Sequence, residues 1–209
     1  MSTIQLSRAQ QLPSEQEVAR GSKVLRVLYL TRVAFVGAWV LLADTLASSS
    51  QDDNTARILV GVLLVAYPVS DVAATIFEIR ADRSMTMLPH YANFAAGVLA
   101  TSGLLITGFT SVPAAMSIFG VWAILSGVAQ IVVGAIRRQT FRGQWPMIIS
   151  GIGSLGGAGY IGWSGTAGSA LGLLAEYAEG GAFFYLLTSL WLFLAPRQRR
   201  IQAGTTSFR

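Results

Sequence analysis

Residues 120–163 read GVWAILSGVAQIVVGAIRRQTFRGQWPMIISGIGSLGGAGYIGW. Two apolar runs flank a short polar turn that carries Arg137, Arg138 and Arg142. Neither run shows the one-sided apolar stripe of a helix with a wet face, and each approaches the ~20 residues that cross a hydrocarbon core of ~30 Å. Lipid offers no partner for backbone N–H and C=O groups, so such a run must be a helix. The basic turn belongs on the cytoplasmic side, where Lys and Arg collect. The stretch is a membrane hairpin turned at its cytoplasmic end.

The same pattern extends in both directions. Apolar blocks run over Val27–Ala47, Ala56–Ile79, Leu88–Phe109, Pro113–Ile136, Trp145–Trp163 and Leu171–Ala195. Hydrophobic residues make up 53% of the 209, and charged residues only 12%. A soluble domain carries about 25% charged residues. That deficit excludes an ordinary cytoplasmic enzyme, a disordered chain and a nucleic-acid-binding domain, so no nucleic-acid partner is expected. The net charge of +5 has a topological cause instead. Every Lys and Arg other than Arg32 and Arg57 falls in the N-terminal tail, the 80–83 turn, the 137–142 turn or the 197–209 tail. Six transmembrane helices with both termini cytoplasmic satisfy every segment at once. The expected fold is thus an all-α membrane protein: a polar tail over 1–26, a six-helix domain over 27–195 and a basic tail over 196–209. Thr45-Leu46-Ala47 has the small residues of a signal-peptidase site, but the run before it is too long for a signal h-region. Tyr29, Tyr91, Trp145 and Trp191 are expected in an inner aromatic belt, with Tyr160, Trp163 and Tyr177 in an outer one.

The blocks also resemble one another. Blocks 1, 3 and 5 superpose on Gly37, Gly97 and Gly151, and blocks 2 and 4 on Gly61 and Gly120. Block 6 fits less well, with Glu179-Gly180-Gly181 near its midpoint. The reading is three tandem αα-hairpin repeats inserted the same way round. Over 120–163 the mid-helix Gly120 and Gly127, the inner-turn Arg137 and Arg138, then Trp145, Gly151 and Gly156 resemble the HdeD-like family of small bacterial acid-resistance membrane proteins. The resemblance covers blocks 4 and 5 well, blocks 2 and 6 less well, and residues 1–50 poorly. It implies a six-helix protein of the bacterial inner membrane, linked to acid stress, with no catalytic residues to carry over.

Gly151-Ile-Gly-Ser-Leu-Gly156 matches a dinucleotide fingerprint letter for letter, but that motif needs a preceding strand and a βαβ unit. Inside a membrane helix small residues serve close packing. Gly151, Ser154, Ala158, Gly162 and Gly165 share one face, with Gly153 and Gly157 beside it, so packing is the reading; Gly-rich faces also make a homo-oligomer plausible. His90, the single histidine, is expected to be solvated or interfacial at the start of its block, since it has no second ligand in sequence. The chain has no Cys. No catalytic, cofactor or metal set is expected, and membrane lipids are the expected partners.

A few charges do not follow topology, Arg32, Asp71, Glu176 and Glu179 above all. Asp71 and Arg32 lie about two turns inside their blocks, where a lone carboxylate costs ~2.5–3.5 kcal/mol. An Arg32–Asp71 pair is one reading; snorkelling of Arg32 to the headgroups is the other. Asp44, Glu176 and Glu179 cluster on the outer side with Asp52 and Asp53, offset only by Arg57. These acids are candidates for proton uptake when the outside turns acidic, or simply the solvated ends of helices. Two functions follow: a non-enzymatic stress-response membrane protein, or a small proton or solute transporter whose path passes Arg32 and Asp71.

Overall fold

The fold is seen in a computed structural model that describes residues 15–48, 53–81, 88–138, 143–164 and 170–194. The described residues are helical, with six helices and no strand: α1 (Glu15–Ser48), α2 (Asp53–Ala81), α3 (Leu88–Thr107), α4 (Val112–Arg137), α5 (Trp145–Ser164) and α6 (Ala170–Leu194). Four of them, α1, α2, α4 and α6, are long and apolar enough to cross a membrane. This is the architecture of a multi-pass membrane protein. The other two, α3 and α5, have 20 residues each, about 30 Å of helix. His90 and Asn93 in α3, and the glycines of α5, lower their apolar character.

Two boundaries differ from the sequence reading. The first helix starts at Glu15, so the second half of the expected polar tail is helical and continuous with the apolar block. Extending an existing helix costs no new nucleus, and Glu, Gln, Ala and Arg in 15–20 are good helix formers. Between α3 and α4 the chain turns at 108–110, and Ser111 caps α4 with its hydroxyl accepting from Ala114 N–H at 3.5 Å. Pro113 then occupies the first turn of α4, where its missing N–H costs nothing.

Each helix packs on its neighbours in sequence, and α6 returns to α1, closing a ring. The most extensive packing joins α4 to α5 and α1 to α6. Both contacts cross the boundaries of the expected hairpins. The register glycines have unlike surroundings too. A Cβ on Gly37 would meet nothing within 4 Å, whereas one on Gly97 would lie 2.5 Å from Val72 Cγ2 and one on Gly151 2.6 Å from the Gly127 carbonyl.

That last approach is a backbone-to-backbone contact between α4 and α5. A Cβ on Gly127 would in turn sit 2.8 Å from the Gly151 carbonyl, so the two backbones touch where neither residue has a side chain. Ser154 and Ala158 continue the buried face of α5. Gly162 lies in α5 near its end, and Gly165 lies outside the described residues. Gly153 and Gly156 face open space, and Gly157 lies near the Tyr177 ring. Of the three glycines in the Gly-x-Gly-x-x-Gly string, therefore, only Gly151 makes a packing contact. Gly151→Ala should destabilise the protein by about 1–3 kcal/mol, the usual cost of overpacking a tight site. Gly153→Ala and Gly156→Ala should leave the unfolding midpoint in detergent unchanged; equal losses at all three positions would contradict this packing.

Candidate functional site: a buried ion network beside an inter-helix cavity

One half of the bundle interior is apolar. Trp39, Tyr67, Phe119 and Trp122 cluster there, Tyr67 lying edge-on to Trp39 at 5.3 Å and to Trp122 at 5.7 Å, and tilted against Phe119 at 5.7 Å. Trp39 Nε1 donates to the Leu63 carbonyl at 2.8 Å, one residue before the carbonyl that Pro68 leaves without its helical donor. The other half is polar. The chain reverses direction at each turn, so the late residues of α2 and α4 come together with the early residues of α3 and the second half of α6.

Arg32 of α1 lies at the centre of this polar half. Its Nη1 donates to Asp71 Oδ1 at 2.8 Å and to the Tyr185 hydroxyl at 2.6 Å. Its Nη2 lies 3.7 Å from Glu78 Oε1. The structure thus brings Arg32 and Asp71 together, and Arg32 points into the bundle. The other Asp71 oxygen, Oδ2, accepts from Asn93 Nδ2 at 2.9 Å, and that amide also donates to Thr75 Oγ1 at 2.9 Å.

Two further charges join it that the charge pattern assigns elsewhere. Glu78 and Arg137 read in sequence as the polar ends of their blocks in cytoplasmic turns. In the structure Arg137 is fully buried and Glu78 is 6% exposed. Arg137 Nη2 donates to Glu78 Oε2 at 2.9 Å, and Nη1 to the Tyr29 hydroxyl at 3.1 Å. Its neighbour Arg138 is exposed and lies over the Trp145 ring, 5.5 Å from its centre. Adjacent positions on a helix point about 100° apart, so two consecutive arginines need not share an environment. The Arg-Arg pair carries no sequence signal that distinguishes them.

His90 is also inside. It is 4% exposed, with Nδ1 3.4 Å from Glu78 Oε2, and not the solvated histidine that its place at a helix start suggests. Pro89 opens α3 at this point, and the first turn of α3 directs His90 inward toward Glu78 of α2 while Leu88 and Tyr91 stay exposed. Tyr29 and Tyr177 leave the expected aromatic belts for the interior. Tyr29 stacks on Tyr185 at 5.9 Å, and Tyr177 packs on Phe119 at 5.7 Å with its hydroxyl 3.2 Å from Ser154 Oγ. Tyr91, Trp145, Trp191 and Tyr160 are about half exposed, as belt residues should be.

The network holds two cations, Arg32 and Arg137, and two anions, Asp71 and Glu78, so it is neutral before His90 is considered. Buried charges persist only when paired and hydrogen-bonded, and here each carboxylate has at least two polar neighbours. The outer acids are different. Asp44, Glu176 and Glu179 are exposed on α1 and α6 and lie outside this cluster. Asp53 begins α2, and Asp52 falls outside the described residues, as do Arg197, Arg199 and Arg200. No group of three or more His, Asp or Glu suited to a metal ion occurs among the described residues.

A cavity of about 480 Å³ opens beside Arg32 and Asp71, between α1, α2, α4, α5 and α6. Its walls are mainly apolar and aromatic, with Phe35, Tyr67, Phe77 and Trp122, and its polar positions include Ser126, Gln130, Ser150, Ser154 and Tyr185 besides the ion pair. A smaller void of about 30 Å³ lies on the other side of the pair, against His90 and Asn93. No protein-family model, curated protein or solved structure matches this chain.

Removing one partner of a buried ion pair leaves the other charge stranded and costs about 3–5 kcal/mol. Arg137→Ala should therefore lower the unfolding midpoint in detergent sharply, while Arg138→Ala leaves it unchanged. Glu78→Ala combined with Arg137→Ala should be no worse than the more damaging single change, because the double variant strands no charge. Simple additivity would show that the two residues are not coupled.

Proposed function

We propose that this chain is a six-span, non-enzymatic membrane protein that binds a small molecule within the bilayer and serves as a solute carrier. The observation that supports this reading most is the cavity: about 480 Å³, largely apolar, and bordered at mid-helix depth by the Arg32–Asp71 pair. Ligand sites are concave, mainly apolar and equipped with a few convergent polar groups, in this size range of ~300–1,000 Å³. A solute suits it better than a proton wire does, because the charged groups are engaged with one another and the walls between them and the opposite half are aromatic. The six spans are read as three hairpins with both termini cytoplasmic, in the bacterial inner membrane, as the basic turns and the HdeD-like resemblance imply.

A role in acid stress is the second reading. It draws support from the resemblance and from His90 set against Glu78, since histidine is the side chain whose ordinary titration lies closest to neutrality. Protonating His90 would add one positive charge to a neutral cluster formed by Glu78, Arg137, Arg32, Asp71, Tyr29 and Tyr185.

Two measurements test the proposal. The chain lacks Cys, so single cysteines can be placed at will. A membrane-impermeant maleimide should label Ser2→Cys, Ser84→Cys, Gln139→Cys and Ser207→Cys from the cytoplasmic side, and Ser50→Cys, Thr110→Cys and Thr166→Cys from the outside. Any cysteine labelled from the wrong side would break the six-span topology. Native mass spectrometry of protein extracted from its own membrane should show a small bound molecule. Gly181 lines the cavity and a Cβ there meets only the Tyr67 hydroxyl, at 3.6 Å. Gly181→Leu should therefore fold normally and lose the bound mass. Spectra without added mass, or unchanged by Gly181→Leu, would remove the carrier reading.

A further inference from the structure

The Arg32–Asp71 contact sets α1 and α2 in register, because the two helices run antiparallel and the pair marks one level on both. Lys23 lies nine residues before Arg32, and Arg80 nine residues after Asp71. At 1.5 Å of rise per residue both sit roughly 14 Å from the ion pair, level with each other at the end where α1 begins and α2 ends. Arg20 is one turn before Lys23 on the same face of α1. All three are exposed and form no ion pair among the described residues.

Between those two levels the cavity opens to the surface. Val27 and Thr31 of α1 and Ala73 and Phe77 of α2 line it and are also exposed. Its mouth therefore lies between these two helices, which pack only lightly on each other. In a bilayer that gap faces hydrocarbon. The hydroxyls beside it are turned to their own backbone: Thr31 Oγ1 donates to the Val27 carbonyl at 2.9 Å, and Ser70 Oγ to the Tyr67 carbonyl at 2.7 Å. Val27 and Thr31 continue the face of α1 that carries Lys23, and Phe77 and Ala73 continue the face of α2 that carries Arg80. From the end inward, each helix presents a cation, then the apolar mouth, then the ion pair.

The interior suits an apolar body. Polar atoms contribute little of the surface open to the cavity. Arg32 Nε, Gln130 Oε1 and Trp122 Nε1 have no hydrogen-bond partner, but all three are closed off from the open space. Arg32 and Asp71 already offset each other, so no ion gains a net partner past the mouth. A cavity of ~150 Å³ holds benzene, with six carbons. In proportion, about 480 Å³ suits one hydrocarbon chain of roughly eighteen carbons, and not two chains together. A chain lodged there leaves its polar end at the level of Lys23 and Arg80, where the cations favour a negative charge.

We propose that the cavity takes one hydrocarbon chain of an anionic amphiphile, which enters from the lipid between α1 and α2 and leaves its headgroup at Lys23 and Arg80. This rests on the carrier reading and specifies its substrate class. An anion on one inserted chain is the chemistry of a fatty acid and of an anionic phospholipid alike. Bromine quenches tryptophan fluorescence, and Trp122 lines the cavity. The probes are 9,10-dibromostearate and its uncharged methyl ester, added to protein in phosphatidylcholine nanodiscs. At about pH 9 the membrane-borne acid is ionised and lysine keeps its charge. Concentrations are corrected for partition into empty discs, and quenching of the exposed Trp145 and Trp191 is subtracted as the non-saturating part.

The acid should quench saturably at about five- to thirtyfold lower concentration than the ester, the range that one or two interfacial cations provide. Lys23→Gln with Arg80→Gln should remove that preference and leave the ester curve and the unfolding midpoint in place. Trp122→Phe and Gly181→Leu should each remove the saturable component. Added phosphatidylglycerol identifies the source: relief of the quenching assigns the site to phospholipid as well, and no relief assigns it to fatty acids alone, either result supporting the proposal. A preference for the acid that survives the double variant would overturn the headgroup site. Saturable quenching that survives Trp122→Phe would place the chain outside the cavity and overturn the proposal too. If acid and ester saturate alike and Gly181→Leu blocks both, the anionic end is wrong and the cavity reading stands. If neither probe quenches saturably, the amphiphile class is wrong, and the carrier reading still answers to the bound mass. If both quench saturably and Gly181→Leu changes nothing, both readings fail.

Discussion

A charge within a bilayer must bring its own counter-charge, and the polar half of this bundle is arranged around that constraint. Arg32 cannot remain isolated at the middle of α1; it engages Asp71, Tyr185 and Glu78 at once. Glu78 in turn holds Arg137, and Arg137 holds Tyr29. These contacts reach α1, α2, α4 and α6, and Asn93 and His90 tie in α3. A neutral, hydrogen-bonded cluster costs little to bury compared with its members taken singly. It also ties those helices together, because each charge is paired with one on a different helix.

Packing and polarity divide the molecule between them. Where α4 meets α5, Gly127 and Gly151 let two backbones touch, and in a lipid environment such contact takes over the role that hydrophobic burial has in water. Where α1 meets α2 the fit is loose, and the cavity opens there. The close contact lies on one side of the ring, and the lighter one leaves space beside Arg32. A cavity so placed is bounded by a fixed charge pair on the inside and by lipid on the outside.

The pairing of Arg32 with Asp71 was legible because both residues stand out: each is a charge inside an apolar block at similar depth. Glu78, Arg137 and His90 were not legible. Each lies at the end of a block, where a charge ordinarily faces water, and nothing in the local sequence distinguishes Arg137 from Arg138 beside it. Tyr29 and Tyr177 were concealed in the same way, since a tyrosine near a helix end reads as an interfacial anchor until its neighbours are known. The Gly-rich string of α5 was legible as a packing feature, but not which of its glycines makes the contact.

By itself the sequence determined the solvent, the secondary structure and the approximate limits of the helices. Those follow from sums over many residues: the apolar content of each block, the backbone's need to satisfy itself in lipid, and the sorting of Lys and Arg into alternate turns. The tertiary structure alone decided which charges became internal and where space was left. A side chain's direction depends on the rotation of its helix against its neighbours, a quantity set jointly by five or six packed surfaces. Arg137 and Arg138 differ by one position and about 100° of rotation. That rotation places one guanidinium at the centre of the ion network and leaves the other at the surface.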